Sequence, residues 1–209
     1  MEKAGINMSN VTVGFRDLRA EKIETLKPRE RILKTAIALF NAYGVNVIGV
    51  DRIIAESGVS KRSFYDYYPS KADLIAAYLD FWEEFRFTNM ASHLAGVKGG
   101  PVAEILAIFD AVDDWINQED FRGCTFTRGL SDFNTDDSKP LRIKVDQHFE
   151  KFSAFIKDRL VKLAPPKKAK ILLLQLMSLV VGAMVVAHGT GEKGVAKLNK
   201  KIASDLLAA

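Results

Sequence analysis

Three features of this 209-residue chain predict an all-α protein. Apolar residues recur at helical spacing along most segments, no stretch sustains the period-two alternation of a half-buried strand, and proline and glycine cut the chain into pieces of helix length. With 48% apolar side chains there is material for one large core or two modest ones.

The elements follow in order. Residues 1–27 form a polar arm, expected to be partly disordered; whether Arg16, Arg19 and Lys22 add a basic contact is left open by the sequence. Pro28 opens a first helix with Ile32, Leu33, Ala36, Ile37, Phe40 and Tyr43 on one stripe, and Gly44 ends it. Val50 to Ser57 is a short second helix, after which Gly58 supplies the backbone freedom a sharp turn needs. Ser60 caps a third helix from Lys61 to about Tyr67, and Pro69 stops it. Ser70-Lys71-Ala72-Asp73 is a capping-box-like start for a long fourth helix carrying Leu74, Ile75, Tyr78, Leu79, Trp82 and Phe85.

Glycines at 96, 99 and 100 close that helix, and Pro101 begins a fifth that runs through Trp115. A shorter piece covers Cys124 to Phe133, and Pro140 opens a helix to about Leu163. Pro165-Pro166 and the loop from Gly189 to Gly194 bracket an apolar helix at 167–188, and a last helix over about 191–207 follows.

Composition excludes several classes. Cys124 is the only cysteine, so no intrachain disulfide forms and a reducing cytoplasm is the expected compartment. The arm mixes charges at regular intervals and holds no signal-like apolar block. ILLLQLMSLVVGAMVVA, residues 171–187, imitates a membrane span, but it is short for one and carries Gln175 and Ser178; burial in a subunit interface is expected, and no membrane partner. His93, His148 and His188 are scattered, so no metal ligand is assigned. GTGEKG at 189–194 has the letters of a dinucleotide fingerprint but follows a helix, so it reads as a loop and no cofactor is expected. No catalytic arrangement stands out, and the chain is expected not to be an enzyme.

The net charge of +4 permits an anionic partner without requiring one. Local charge is more informative: Pro28 to Lys71 holds seven Lys or Arg against four acids. Within it, ESGVSKRSFYDYYPSK (56–71) places Tyr65, Tyr67 and Tyr68 beside Lys61 and Arg62, just after the Gly58-Val59-Ser60 turn. Two short helices joined by a tight turn are the design of a helix-turn-helix, whose second helix enters the major groove of double-stranded DNA. Arg62 is then the candidate for bidentate reading of a guanine, and Lys61 and Ser63 reach bases or phosphates. Tyr65 and Tyr67 donate to phosphates, whereas Tyr68, at helical spacing from Phe64, packs inward. Lys71 grips a phosphate together with the amides of its helix N-terminus.

Residues 28–78 resemble the DNA-binding domain of the tetracycline-repressor (TetR) family. The resemblance runs through ILKTAIALFNAYG and VDRIIAESGVSKRSFYDYYPSKADLIAAY, with a Gly-Val-Ser turn, a tyrosine-bearing recognition helix and a lysine before a Leu-rich fourth helix. Gly49 stands where the family often has a phosphate-binding Thr, leaving backbone amides at Gly49 and Val50; Arg62 replaces a common Gly, and Tyr67 a common His. With Ser60, these complete the expected DNA-facing set.

The resemblance implies a three-helix reader over 28–75 and a helical effector-binding and dimerisation domain over 76–209. It implies a homodimer through the helices near 167–188 and 191–207, with Gly182-Ala183 permitting close approach. It also implies a repressor released from a palindromic operator by a small organic effector. Trp82, Phe85, Trp115, Cys124, Phe126, Phe149, Phe152 and Met177 are candidates to line the effector pocket, each also suited to the core. Arg122 and Arg128 near Cys124 would favour a thiolate sensor, against which stands an inert buried cysteine. The rival reading of the whole chain is a helical ligand-binding or protein-interaction module that no longer reads DNA.

Overall fold

The computed structural model describes residues 16–208. Among them run nine α-helices and no strand: α1 (Pro28–Tyr43), α2 (Val50–Ser57), α3 (Lys61–Tyr67), α4 (Lys71–Leu94), α5 (Gly100–Ile116), α6 (Thr125–Asp132), α7 (Lys139–Leu160), α8 (Pro166–Thr190) and α9 (Val195–Ala208). The all-α class is as the periodicity predicts. Boundaries differ by a few residues: α7 ends at Leu160 instead of Leu163, and α9 starts at Val195 after Gly191, at φ +76, has terminated α8.

Local chemistry sets the starts of the first helices. The Lys27 backbone N–H donates to Glu30 Oε2 at 3.0 Å, and Pro28 sits where a missing N–H costs nothing. The Ser60 hydroxyl accepts from the Ser63 N–H at 3.1 Å to begin α3. Ser70 accepts from the Asp73 N–H at 3.1 Å and donates to the Asp73 carboxylate at 2.7 Å, the cap that its sequence predicts.

In the N-terminal part α1 packs on α2, α3 and α4. Ile32, Phe40, Ile53, Phe64 and Leu74 are fully buried there, and each such side chain contributes about 1.5–3 kcal/mol of burial. The Phe40 and Tyr78 rings meet edge to face at 5.4 Å. Beyond it, α5 packs on α4, α7, α8 and α9. Along the α6–α7 contact a Cβ at Gly129 would lie 2.7 Å from Val145 Cγ2, so only glycine lets the helices approach this closely.

Residues 16–27 are held against this body, and the remainder of the expected arm lies outside the described residues. Leu18 and Leu26 are buried, and Lys34 Nζ donates to the Leu18 and Arg19 carbonyls at 2.8 and 2.7 Å. The Arg19 guanidinium lies over the Phe85 ring at 4.1 Å and pairs with Asp17 and Asp120, while Arg16 pairs with Glu21 and Glu30. Of the three cations that the sequence leaves open for a basic contact, Arg19 is ion-paired and half-buried, Arg16 is ion-paired and exposed, and Lys22 is exposed without an ion pair among the described residues.

The helix α8 is long and apolar enough to cross a membrane by length and composition, with a mean hydropathy of 2.2. One face is in the core through Leu172, Leu176, Val180 and Ala183. The other exposes Ile171, Leu174 (61%) and Val185, next to exposed Leu198 (65%) and Ile202 on α9. Ala183 is fully buried in its own chain, so it is unavailable for close approach by a second copy; Gly182 has no atom within 4 Å of where a Cβ would stand.

Candidate nucleic-acid interface and internal cavity

The turn between α2 and α3 depends on Gly58, whose φ of +64 is the left-handed region that side chains resist. Its carbonyl accepts from Arg31 Nη2 at 3.3 Å, tying the turn to α1. The second helix has no side-chain cap at Gly49, which adopts an ordinary extended φ of −82.

The α3 helix is anchored from behind. Phe64 is fully buried and Tyr68 nearly so, their rings 6.2 Å apart, and the Tyr68 hydroxyl donates to the Arg29 carbonyl at 3.4 Å. Burial raises the Tyr68 pKa, outweighing Arg29. Ser60, Lys61, Arg62, Tyr65 (43%) and Tyr67 (42%) are exposed, with Ser63 half-buried among them. Lys61 makes one long ion pair, 3.4 Å to Asp51, with both partners in solvent; such a pair is worth little and is readily exchanged for a phosphate. Lys71 is half-buried in the first turn of α4, and burial lowers its pKa. Gly49 is exposed and Val50 half-buried at the start of α2. The nine residues of the expected DNA-facing set thus come from the start of α2, the whole length of α3 and the start of α4.

The second feature is a cavity of ≈ 30 Å³ among α4, α5, α7 and α8. Of the pocket candidates, Cys124, Phe149 and Phe152 line it. Trp82, Phe85, Trp115 and Phe126 are buried core, with Phe126 stacked on the His148 ring at 3.6 Å, and Met177 is half-buried outside the lining. Cys124 is buried. Sequence reading misses Arg86, Asn89 and His148, which also line the cavity, together with Met90 and Met184. One signal was available: Trp82, Arg86 and Met90 follow at i, i+4 spacing, so a cation interrupts an apolar stripe.

Around His148, burial pulls the pKa down against the opposing pull of Glu83, whose Oε2 is 3.5 Å from Nδ1. Glu83 also pairs with Lys151; burial works to raise its pKa, but His148 and Lys151 together hold it below the usual range. Among the described residues no group of His, Cys, Asp and Glu is arranged to hold a metal ion.

A helix-turn-helix at one end and a helical body with an internal cavity are the layout of a DNA-binding transcriptional regulator. Comparison with known proteins agrees. Residues 32–78 match the family described as bacterial regulatory proteins, tetR family. A 95-residue stretch is 30% identical to the HTH-type transcriptional regulator YerO of Bacillus subtilis (strain 168), covering 44% of this chain and 33% of that protein. A 66-residue stretch is 36% identical to YuxN, an HTH-type transcriptional regulator of the same organism, covering 31% and 23%. The matched stretches thus span a third or less of these relatives. Over the whole fold, a TetR-family transcriptional regulator from Streptomyces coelicolor superposes with a TM-score of 0.79 at 25% identity, covering 87% of this chain and 94% of that one. Residues 32–78 thus match the DNA-binding part of the tetR family, and the whole fold is similar to that of a TetR-family regulator.

Proposed function

We propose that the protein is a cytoplasmic homodimer that represses transcription from a palindromic operator and is released by a small organic effector. Residues 28–75 are the reader, and 76–209 hold the effector and the second subunit. The observation that carries this reading is the division of α3: Phe64 and Tyr68 hold its back, leaving Lys61, Arg62, Tyr65 and Tyr67 facing outward beside Lys71. In the complex Arg62 reads a guanine, Tyr65, Tyr67 and Lys71 hold phosphates, and the amides of Gly49 and Val50 with the Ser60–Ser63 turn fix the entry angle. The exposed apolar strip of α8 and α9 supports a two-fold dimer, which presents two recognition helices about 34–36 Å or a multiple apart. The cavity supports an effector site.

Selection of bound duplexes from a random pool at near-physiological salt tests the reading. Enrichment of a palindrome with that half-site spacing is the expected result. Recovery of unenriched DNA would replace it with a helical interaction module.

A further inference from the structure

The cavity has one charged lining residue, Arg86, for which no carboxylate partner stands among the described residues. Arg86 projects from α4 with its guanidinium 3.9 Å from the Trp115 ring centroid, and Nη2 lies 3.8 Å from Met184 Sδ, a weak acceptor. Among the described residues no carboxylate lies within ion-pair distance of it. Of the acids on its own helix, Glu83 pairs with Lys151 and Asp80 with Lys144, Asp73 accepts from Ser70 at the helix start, and Glu84 is exposed. The surroundings desolvate Arg86 enough to bring its pKa down to about 10, so it remains a cation at neutral pH. The other titratable side chains on the cavity wall are His148 and Cys124, and the charge interaction with Cys124 only partly opposes the desolvation of Arg86.

A desolvated cation without an anion is costly, and a structure that keeps one has a use for it. Guanidinium presents parallel N–H donors that match a carboxylate. The rest of the wall is hydrocarbon and aromatic: Phe149 and Phe152 from α7, Met90 from α4 and Met184 from α8. Resting on the effector-site reading above, we propose that the cavity takes a small amphipathic monocarboxylate, its carboxylate on Arg86 and its apolar body among these side chains. A space of ≈ 30 Å³ admits a body of water size. Entry therefore requires the wall to move, for which unbranched Met90 and Met184 and half-buried Phe149 and Phe152 are suited. The ligand thus selects an expanded state of the body.

The test titrates the full-length protein with butyrate, hexanoate, benzoate and 3-phenylpropanoate and with the amide of each, by calorimetry and thermal shift. At least one acid is expected to bind and raise Tm, with its amide roughly tenfold or more weaker. Arg86→Gln is expected to erase the acid-over-amide preference, and Arg86→Lys to keep part of it. The preference in the unsubstituted protein decides the matter even if the variants fail to fold. Amides binding as tightly as acids, or no acid binding at millimolar concentration, would overturn the proposal. The operator duplex separates this from the effector reading. An acid that binds through Arg86 yet leaves the operator bound keeps the anion site and removes the effector role. A neutral compound that releases the operator while no acid binds does the reverse.

Discussion

In the proposed complex Lys71 acts on a phosphate from a helix first turn, where ammonium and backbone amides face the same oxygen. Removing a cation that neutralises a phosphate weakens the salt dependence, so Lys71→Ala should flatten the slope of log K against log salt by about two in a dimer. An unchanged slope would remove Lys71 from the phosphate set. Arg62→Ala should instead relax preference at one position per half-site by roughly 1–3 kcal/mol, and uniform weakening over all sequences would make it a phosphate contact. The two partly enclosed histidines pull stability in opposite directions with pH. Burial depresses the His148 pKa, so the unfolded chain takes up that proton first, and stability is lost as pH falls below about 6.5. At His93 burial is the largest influence and opposes charge, but the Asn89 carbonyl at 2.9 Å and Asp114 at 2.7 Å outweigh it and raise the pKa. Its contribution is complete below about 6.5 and fades as pH rises through the folded pKa. Thermal melts between about pH 7 and pH 5 should lose less stability on acidification in His148→Gln than in the unsubstituted protein, and more in His93→Gln. Identical acid limbs in all three would mean that neither ring's environment differs from the unfolded chain.

The helix starts and turns carry the next set of consequences. Gly58→Ala forces a side chain into the left-handed region at a cost of about 1–2 kcal/mol, and its Cβ meets only the movable end of Arg31, so the backbone accounts for most of the loss. The variant should therefore fold with a lower Tm while losing more operator affinity than stability, because the α2–α3 angle is what the turn sets. Gly49 presents the opposite case: nothing stands within 4 Å of a Cβ there and its φ is ordinary, so Gly49→Thr should cap α2 and gain a few tenths of a kcal/mol. It should also tighten DNA binding through the added hydroxyl; a looser complex would show that close backbone approach at Gly49 matters more. These elements were legible in the sequence because Gly58, Ser60 and Ser70 each act locally, within three or four residues. The cavity was not. Whether Trp82 or Phe149 faces a space or a core depends on which helices meet, and that is decided by contacts among α4, α5, α7 and α8 from distant parts of the chain. Arg86 reads as a solvated cation until Trp115, almost thirty positions away, is found beneath it. The placement of residues 16–27 was not legible for the same reason, since the acid that claims Arg19 across the fold is Asp120.

At the scale of the whole molecule one element spans both proposed regions. The helix α4 starts beside the reader at Lys71 and reaches the cavity at Arg86, about 22 Å further along its axis. A ligand that draws Arg86 outward or expands the wall moves a rod whose other end carries a phosphate-binding candidate. A second route exists: Tyr78 meets Thr125 at 2.8 Å, and Arg128 of α6 donates to the Asn41 carbonyl of α1 at 3.3 Å, so the loop at Cys124 also reaches the reader. Softening α4 between the two regions separates the routes. Ala76→Gly with Ala77→Gly costs about 1 kcal/mol per site, small enough for the fold to survive. If α4 transmits, operator affinity and ligand affinity measured separately should change little. The factor by which one weakens the other should shrink toward one, and equally in both directions, because coupling between sites is reciprocal. A coupling factor left intact in the double variant would assign transmission to the α6 route, and Arg128→Ala should then abolish it.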